Sequence, residues 1–265
     1  MKKFGLESAI FVKTLISPNV KLTIDLLGKN VDPSLYRIMI GSLLYLTASR
    51  LGISYSVGVC ARYQANLKES HIIAVKRIIK YVKTTSNFRV WYDKDTNDVL
   101  ARYSNADWAG NADDCKSTPD GYFYMGNNLV SWISKKQNSL SLSTAEAKYI
   151  VAGNCCTKLL WMQKLLIDYG IYQKHLTIYC DNTNAINISK NHVQHSRTKH
   201  NEIWYHFIRE LVEDGTLTFE FIHIDDQKAA LVTKPLDARH FEFLCQNIGV
   251  ISMDWSFSSS SCICI

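Results

Sequence analysis

The sequence predicts an α/β protein in which a mixed five-stranded sheet is flanked by helices and follows a mainly helical N-terminal segment. Two observations support this fold class. After residue 99, short β-rich runs alternate with helical patterns in the order β-β-β-α-β-α-α-β-α. That order combines antiparallel hairpins with α/β crossovers. Before that point, apolar side chains recur mainly at helical spacing.

The composition is typical of a globular protein. The chain has 265 residues, of which 47% are hydrophobic and 20% charged, so it can form one large domain or two ordinary ones. Its net charge of +6 permits a nucleic-acid partner without requiring one. The eight cysteines show no CxxC spacing, which indicates free thiols in an intracellular compartment, cytoplasmic or nuclear, and not a secreted protein. No apolar run reaches the roughly 20 residues of a membrane span, so we expect no membrane partner.

The N-terminal half is expected to be helical after an irregular stretch over residues 1–33. Residues 35–57 are strongly apolar and predict one or two packed helices. Residues 70–84 predict an amphipathic helix whose lysines and arginine lie largely on its other faces. Such a basic helix either contacts phosphates or is an ordinary solvated helix. Residues 85–97 are polar and predict a boundary with a short hairpin or linker.

The second half supplies the sheet. Strands are predicted at 99–103, 122–125, 129–133, 176–180 and 216–224, and Gly126 begins a hairpin turn between the second and third. A long helix is predicted over 143–169, with Ser143 or Thr144 as its N-cap. Shorter helices are predicted at 184–190, 197–214, 226–233 and 237–247.

Asp181 is the first candidate for chemistry. It directly follows the apolar strand predicted at 176–180 and precedes a helical pattern. Open α/β sheets place ligands at this position, beyond the carboxyl end of a strand. An aspartate there also serves as an ordinary N-cap, and this stretch alone leaves both interpretations open.

Six short segments carry a resemblance to a known family. They are YSNADWAG at 103–110, SKKQ at 134–137, LSTAEAKY at 142–149, YCDN at 179–182, HSRTKH at 195–200 and TKPL at 233–236. Together they resemble the RNase H domain of copia-type LTR-retrotransposon Pol polyproteins. Residues 36–49 are similar to the end of the reverse transcriptase in those polyproteins, and the resemblance covers about residues 2–251.

The resemblance implies a fold, an activity and a domain organisation. Residues 1–95 would be the C-terminal end of the reverse transcriptase and 99–250 an RNase H-like domain. The tail, residues 251–265, carries no resemblance and is predicted to be disordered. The domain would cleave the RNA strand of an RNA/DNA hybrid with two Mg²⁺ ions about 4 Å apart, each held by carboxylate oxygens. Other Pol segments would be further partners. The Tyr-x-Asp-Asp polymerase motif is absent from this sequence, so we expect no polymerase activity.

At three of the four positions where the family has metal-binding acids, this sequence has a residue that is not an acid. The matching positions hold Asn105, Lys148, Asp181 and Ala230, so only Asp181 remains as a metal ligand. A neutral amide, a methyl group and a fixed cation should bind Mg²⁺ weakly or not at all. We therefore expect impaired or lost catalysis.

Three nearby acids are the candidate substitutes. Asp107 lies two residues beyond Asn105, and Asp226 lies four residues before Ala230. Glu146 is the third, and an alternative register would make it the helix ligand in place of Lys148. An active ribonuclease H using the displaced Asp107 and Asp226 is therefore one alternative.

A non-catalytic module that binds RNA/DNA hybrid is the other alternative. Its candidate contacts are basic or ionisable side chains beside predicted strand and helix ends, namely Lys135, Lys136, Arg197, Lys199 and His200. Side chains of these types bind backbone phosphates. They also serve as ordinary capping and packing residues, which is the structural interpretation of the same pattern.

Overall fold

The computed structural model describes residues 12, 14–16, 21–190, 202–229, 238–252 and 262–264. For residues 202, 203, 238 and 262–264 it describes the backbone alone.

Three helices form most of the N-terminal part, as predicted. α1 (Pro33–Leu46) begins with proline in its first turn, and Asp32 caps it by accepting a 3.0 Å hydrogen bond from the Ser34 amide. A short 3-10 helix leads into α2 (Ser54–Ala61), and α3 (Glu69–Thr84) follows. The basic face of α3 lies opposite buried apolar residues, as its spacing predicted.

A mixed sheet of five strands forms the centre of the second half. Strands β2, β3 and β4 are antiparallel neighbours, and β5 and β6 continue the sheet in parallel from β2, giving the order β4-β3-β2-β5-β6. Their ranges are β2 (Leu100–Asp107), β3 (Thr118–Met125), β4 (Asn128–Ser134), β5 (Leu176–Cys180) and β6 (Leu217–Phe221). Gly126, at a φ of 58°, makes the turn between β3 and β4. The predicted mixed five-stranded sheet is confirmed.

Four helices accompany the sheet. They are α4 (Thr144–Asp168), α5 (Thr183–Lys190), α6 (Glu202–Glu213) and α7 (Ala238–Asn247). Of the helix predicted over 226–233, the structure describes residues 226–229, and these do not form an α-helix. A 3-10 helix spans Ile224–Asp226 instead. The fully buried Gln227 then reaches across to the Ser104 carbonyl at 3.0 Å, which holds this segment against the sheet. Residues 230–237 lie outside the described residues.

The C-terminal tail contributes to a second, small sheet. β1 (Phe88–Asp93) pairs with β7 (Val250–Ser252) and with β8 (Cys262–Cys264), both antiparallel. The prediction of disorder over 251–265 is therefore wrong for residues 251, 252 and 262–264. Within the segment predicted as a hairpin or linker at 85–97, residues 88–93 form strand β1. Alone, β1 would leave backbone N–H and C=O groups without hydrogen-bond partners on both edges. The short strands β7 and β8 pair with these groups.

Two apolar clusters lie on opposite faces of the five-stranded sheet. One joins the N-terminal helices and α7 to the tyrosines of β3, so that Tyr36, Val75, Tyr122 and Tyr124 share a core. The other joins α4, α5 and α6 to the opposite face. Residues on both sides of the predicted boundary at 95–99 therefore share a core, and the division into two domains stays a prediction. No helix among the described residues is long and apolar enough to cross a membrane.

Candidate functional site

An ion pair occupies the carboxyl end of β5. The Lys148 ammonium of α4 donates a 2.5 Å hydrogen bond to Asp181 Oδ1. The Asp181 side chain is 2% exposed and that of Lys148 is 13% exposed, so water screens the pair little. The one carboxylate that the sequence pattern retains is thus neutralised by a cation from the same chain.

Asp181 is not the cap of the helix that follows it. That helix, α5, begins two residues later, and Asn182 Oδ1 accepts a 3.0 Å hydrogen bond from the Ala185 amide. Asn182 therefore caps α5, and of the two interpretations that the sequence left open for Asp181, the N-cap is wrong. Asp181 is turned towards α4 instead.

The N-terminus of α4 explains why Lys148, and not Glu146, faces Asp181. Ser143 caps the helix by accepting a 3.1 Å hydrogen bond from the Glu146 amide, and the Glu146 carboxylate accepts a 2.7 Å hydrogen bond from the Leu142 amide. This reciprocal arrangement resembles a capping box. It holds Glu146 at 3% exposure. Two residues along a helix rotate a side chain by about 200°, so Lys148 projects elsewhere.

Asn105 lies beside this pair in the sheet. β2 and β5 run parallel, with Ser104 opposite Cys180, so the next residues along the two chains are Asn105 and Asp181. The Asn105 side-chain carbonyl accepts a 2.9 Å hydrogen bond from the Ala106 amide. The position that the family resemblance assigns to an acid therefore carries a neutral amide whose oxygen bonds its own backbone.

A second cation, the ammonium group of Lys228, lies against tyrosine rings of β2 and β3. Tyr103 stacks on Tyr179 with 4.8 Å between ring centroids. The Lys228 ammonium lies 4.9 Å from the Tyr103 ring centroid and 4.6 Å from that of Tyr124. These are cation–π distances. Burial lowers the pKa of Lys228. The sequence pattern gave no sign of this contact, because the three residues are far apart in the chain.

The acids considered as substitutes are held in other places. Burial, and then the Asp107 carboxylate, raise the pKa of Tyr55 in α2, which places Asp107 towards the N-terminal helices. Asp226 is exposed in its 3-10 helix, where its charge contributes to the raised pKa of Tyr103 after burial and Tyr179. Within the described residues, no three His, Cys, Asp or Glu side chains are grouped so as to hold a metal ion.

These residues do not fit the two Mg²⁺ ions that the family resemblance implies. Hard dications prefer several carboxylate oxygens. Asp181 supplies one carboxylate, but its charge is already balanced by Lys148, and Asn105 adds no charge. Ala230, the fourth position of the pattern, lies outside the described residues.

The predicted nucleic-acid contacts are described only in part. Lys135 and Lys136 follow β4 and line a cavity against α4, and Lys136 also pairs with Asp114 at 2.5 Å. Arg197, Lys199 and His200 lie outside the described residues. Two buried charged residues of the sheet were not predicted at all, namely Arg102 on β2 and Asp120 on β3. Strand alternation around Arg102 was the available signal, since Leu100 and Ser104 share its face.

Comparison with known proteins agrees with the sequence motifs. No protein-family model matches the chain. The retrovirus-related Pol polyprotein from transposon RE1 of Arabidopsis thaliana is 39% identical over 240 residues, which cover 90% of this chain and 16% of that protein. The corresponding polyprotein from transposon TNT 1-94 of Nicotiana tabacum is 32% identical over 259 residues, covering 95% of this chain and 19% of that protein.

Among solved structures, LC11-RNase H1, isolated from compost by a metagenomic approach, is 12% identical with a TM-score of 0.41; the match covers 51% of this chain and 92% of that one. The chain spans less than a fifth of the length of the two curated relatives described above. On the sequence matches, the chain belongs to the family of retrovirus-related Pol polyproteins of copia-type transposons.

Proposed function

We propose that this chain is an RNase H-like module of a copia-type Pol polyprotein that has lost the cleavage of RNA/DNA hybrids. The observation that carries the proposal is the ion pair between Lys148 and Asp181. A dication at this position would have to displace an ammonium group that is covalently part of the chain and is already within 2.5 Å of the carboxylate. Coulomb repulsion between the two cations opposes that displacement.

The neighbouring residues do not compensate. Asn105 contributes a dipole and no charge, while Glu146 is committed to the start of α4. Asp107 lies towards α2, and Asp226 is exposed on a different segment. Metal-assisted hydrolysis needs its ligands placed to within about 0.5 Å. The arrangement therefore favours loss of activity over an active ribonuclease that uses the displaced acids.

Cleavage of a labelled RNA/DNA hybrid tests this proposal. The wild-type chain should be silent with Mg²⁺ or Mn²⁺, and the triple variant Asn105→Asp, Lys148→Glu, Ala230→Asp should cleave. Lys164→Glu is a matched control, because it makes the same charge change on the exposed side of α4 and should stay silent. Wild-type cleavage that Asp181→Asn abolishes would overturn the proposal. A folded but silent triple variant would show that the acids were assigned in the wrong register.

Retained binding of RNA/DNA hybrid is the second candidate function. It is favoured by the basic cavity that Lys135 and Lys136 line, together with the family's substrate class. Arg197, Lys199 and His200 would add further phosphate contacts. Binding through phosphates weakens steeply with salt, so the logarithm of the affinity should fall linearly with the logarithm of salt concentration. Lys135→Gln should reduce that slope by about one unit. No measurable binding at low salt would exclude this function. Other Pol segments remain proposed partners.

A further inference from the structure

A cavity of about 380 Å³ lies between the N-terminal helices and the small sheet that contains β1 and β7. Its wall comes from the end of α1, the 3-10 helix that follows (Leu51–Ile53), the end of α3, strands β1 and β7, and Cys245 of α7. Most of the lining side chains are apolar, among them Leu46, Val82 and Phe88. None of the described lining residues belongs to the five-stranded sheet or to α4, so the cavity is separate from the degenerate acid positions.

Two arginines lie side by side at the wall of this cavity. The Arg50 guanidinium donates hydrogen bonds to the Thr85 carbonyl at 2.6 Å and to the Ser86 carbonyl at 3.1 Å. Arg89 Nη1 donates to the same Ser86 carbonyl at 2.8 Å, so the two guanidiniums share one oxygen atom. All four of these residues line the cavity. Because both guanidiniums are anchored on lining residues, their positive charges lie at its edge.

A structural role accounts for only one of the two cations. Thr85 is the C-cap of α3, and Arg50 binds the carbonyl groups that the end of this helix leaves without partners. That role does not need a second guanidinium beside the first, and like charges at this distance repel. Burial, and then the Arg89 charge, lower the pKa of Arg50. Among the described residues that line the cavity none is acidic, so its wall supplies no counter-ion for the pair.

We propose that this cavity binds a small monocarboxylate with an apolar tail, whose carboxylate group is held by Arg50 and Arg89. A guanidinium fork matches the two oxygens of a carboxylate, and an anion between the two arginines would relieve their repulsion. Each guanidinium has five N–H donors, and the hydrogen bonds to the carbonyl groups leave donors on both for a ligand.

The shape and chemistry of the cavity favour this class of ligand over a phosphate. Its apolar wall would remove a hydrocarbon tail from water, which stabilises the complex in proportion to the area buried. A carboxylate brings one negative charge, whereas a phosphate group brings nearly two and is costlier to transfer from water to an apolar surface. The volume falls in the range of small-molecule sites.

Calorimetric titration of the full chain with butanoate, hexanoate and octanoate tests the proposal. Octanoate should bind saturably, and the Kd should rise about fourfold for each methylene group removed, because burial of one methylene contributes about 0.8 kcal/mol. Octylammonium carries the same tail with the opposite charge and should not bind, and inorganic phosphate should not bind either. No saturable binding of octanoate, or binding of octylammonium or phosphate as tight as that of octanoate, would overturn the proposal.

Variants of the cavity wall separate the charge from the apolar space, and thermal unfolding shows that each variant is folded. Arg89→Gln removes one guanidinium and should weaken octanoate binding about tenfold. Lys83→Gln makes the same charge change on the exposed side of α3, outside the cavity lining, and should change the affinity less than about twofold. Val82→Phe keeps both arginines but fills part of the cavity, so it should abolish binding. Equal octanoate affinity in the wild type and in Arg89→Gln would refute the assigned carboxylate site.

Discussion

Removing the ammonium group of Lys148 should destabilise the fold substantially. Lys148→Met keeps most of the length and apolar volume of the side chain but leaves the Asp181 carboxylate without its counter-ion. That carboxylate is 2% exposed, so water cannot replace the lost partner without rearrangement of the site. Removing one member of a buried pair typically costs about 3–5 kcal/mol. Because Lys148 itself is 13% exposed, we expect the lower end of that range, about 3 kcal/mol.

The double variant separates the ion pair from the packing around it. Lys148→Met with Asp181→Asn removes both charges and should recover most of the loss, because an uncharged pair of similar volume is often nearly neutral. Urea unfolding followed by circular dichroism gives the four free energies of unfolding in the cycle. We expect a coupling of about 2 kcal/mol. Lys164→Met, on the exposed side of the same helix, should change stability by less than about 0.5 kcal/mol. If Lys148→Met costs no more than this control, the buried-pair reasoning is wrong.

Three further changes test other parts of the structure. Glu146→Ala should cost about 1–2 kcal/mol in urea unfolding and Glu146→Gln much less, because glutamine can still cap α4; equal losses would contradict the capping role. Burial raises the pKa of Asp120 well above its usual value, so wild-type stability falls as pH rises from about 4 through the folded pKa. Asp120→Asn should therefore gain on wild type between pH 4 and neutrality, and a pH-independent difference would refute this. Gly153→Ala should destabilise by about 1–3 kcal/mol despite better helix propensity, because its Cβ would lie 2.5 Å from the Trp204 ring; a higher Tm would contradict that contact.

Local patterns predicted the sheet well because each strand carries its own signal. Strand β5 has the predicted bounds, since an apolar run ends at two residues that favour turns and caps. Ser143 or Thr144 was predicted as the cap of α4 for the same local reason, and the structure shows Ser143 in this role. Whether Asp181 is the cap of α5 or a ligand could not be decided from the sequence, because the adjacent Asn182 offers the same capping chemistry.

Contacts between distant segments explain the failures. The pairing of β1 with β7 and β8 joins residues more than 150 positions apart, and nothing in the tail sequence identifies its partner. Arg102 occupies a buried strand position, whereas arginine is mostly found exposed. The aromatic platform under Lys228 needs three segments to meet. For the β1 pairing and for the platform under Lys228 the decisive information is tertiary, and a single sequence read by local pattern does not contain it.

The ion pair also predicts how metal affects stability. A cluster of four carboxylates repels itself unless a cation is bound, whereas the pair of Lys148 and Asp181 is neutral without any ion. A ligand that binds only the folded state raises its stability in proportion to the logarithm of ligand concentration over Kd. The Tm of the triple variant Asn105→Asp, Lys148→Glu, Ala230→Asp should therefore rise with Mg²⁺ and fall with a chelator. The wild-type Tm should respond neither to Mg²⁺ nor to the chelator, apart from an effect of ionic strength. A monovalent salt at matched ionic strength measures that effect. A wild-type Tm that rises with Mg²⁺ as much as that of the variant would mean that the lysine does not substitute for the metal.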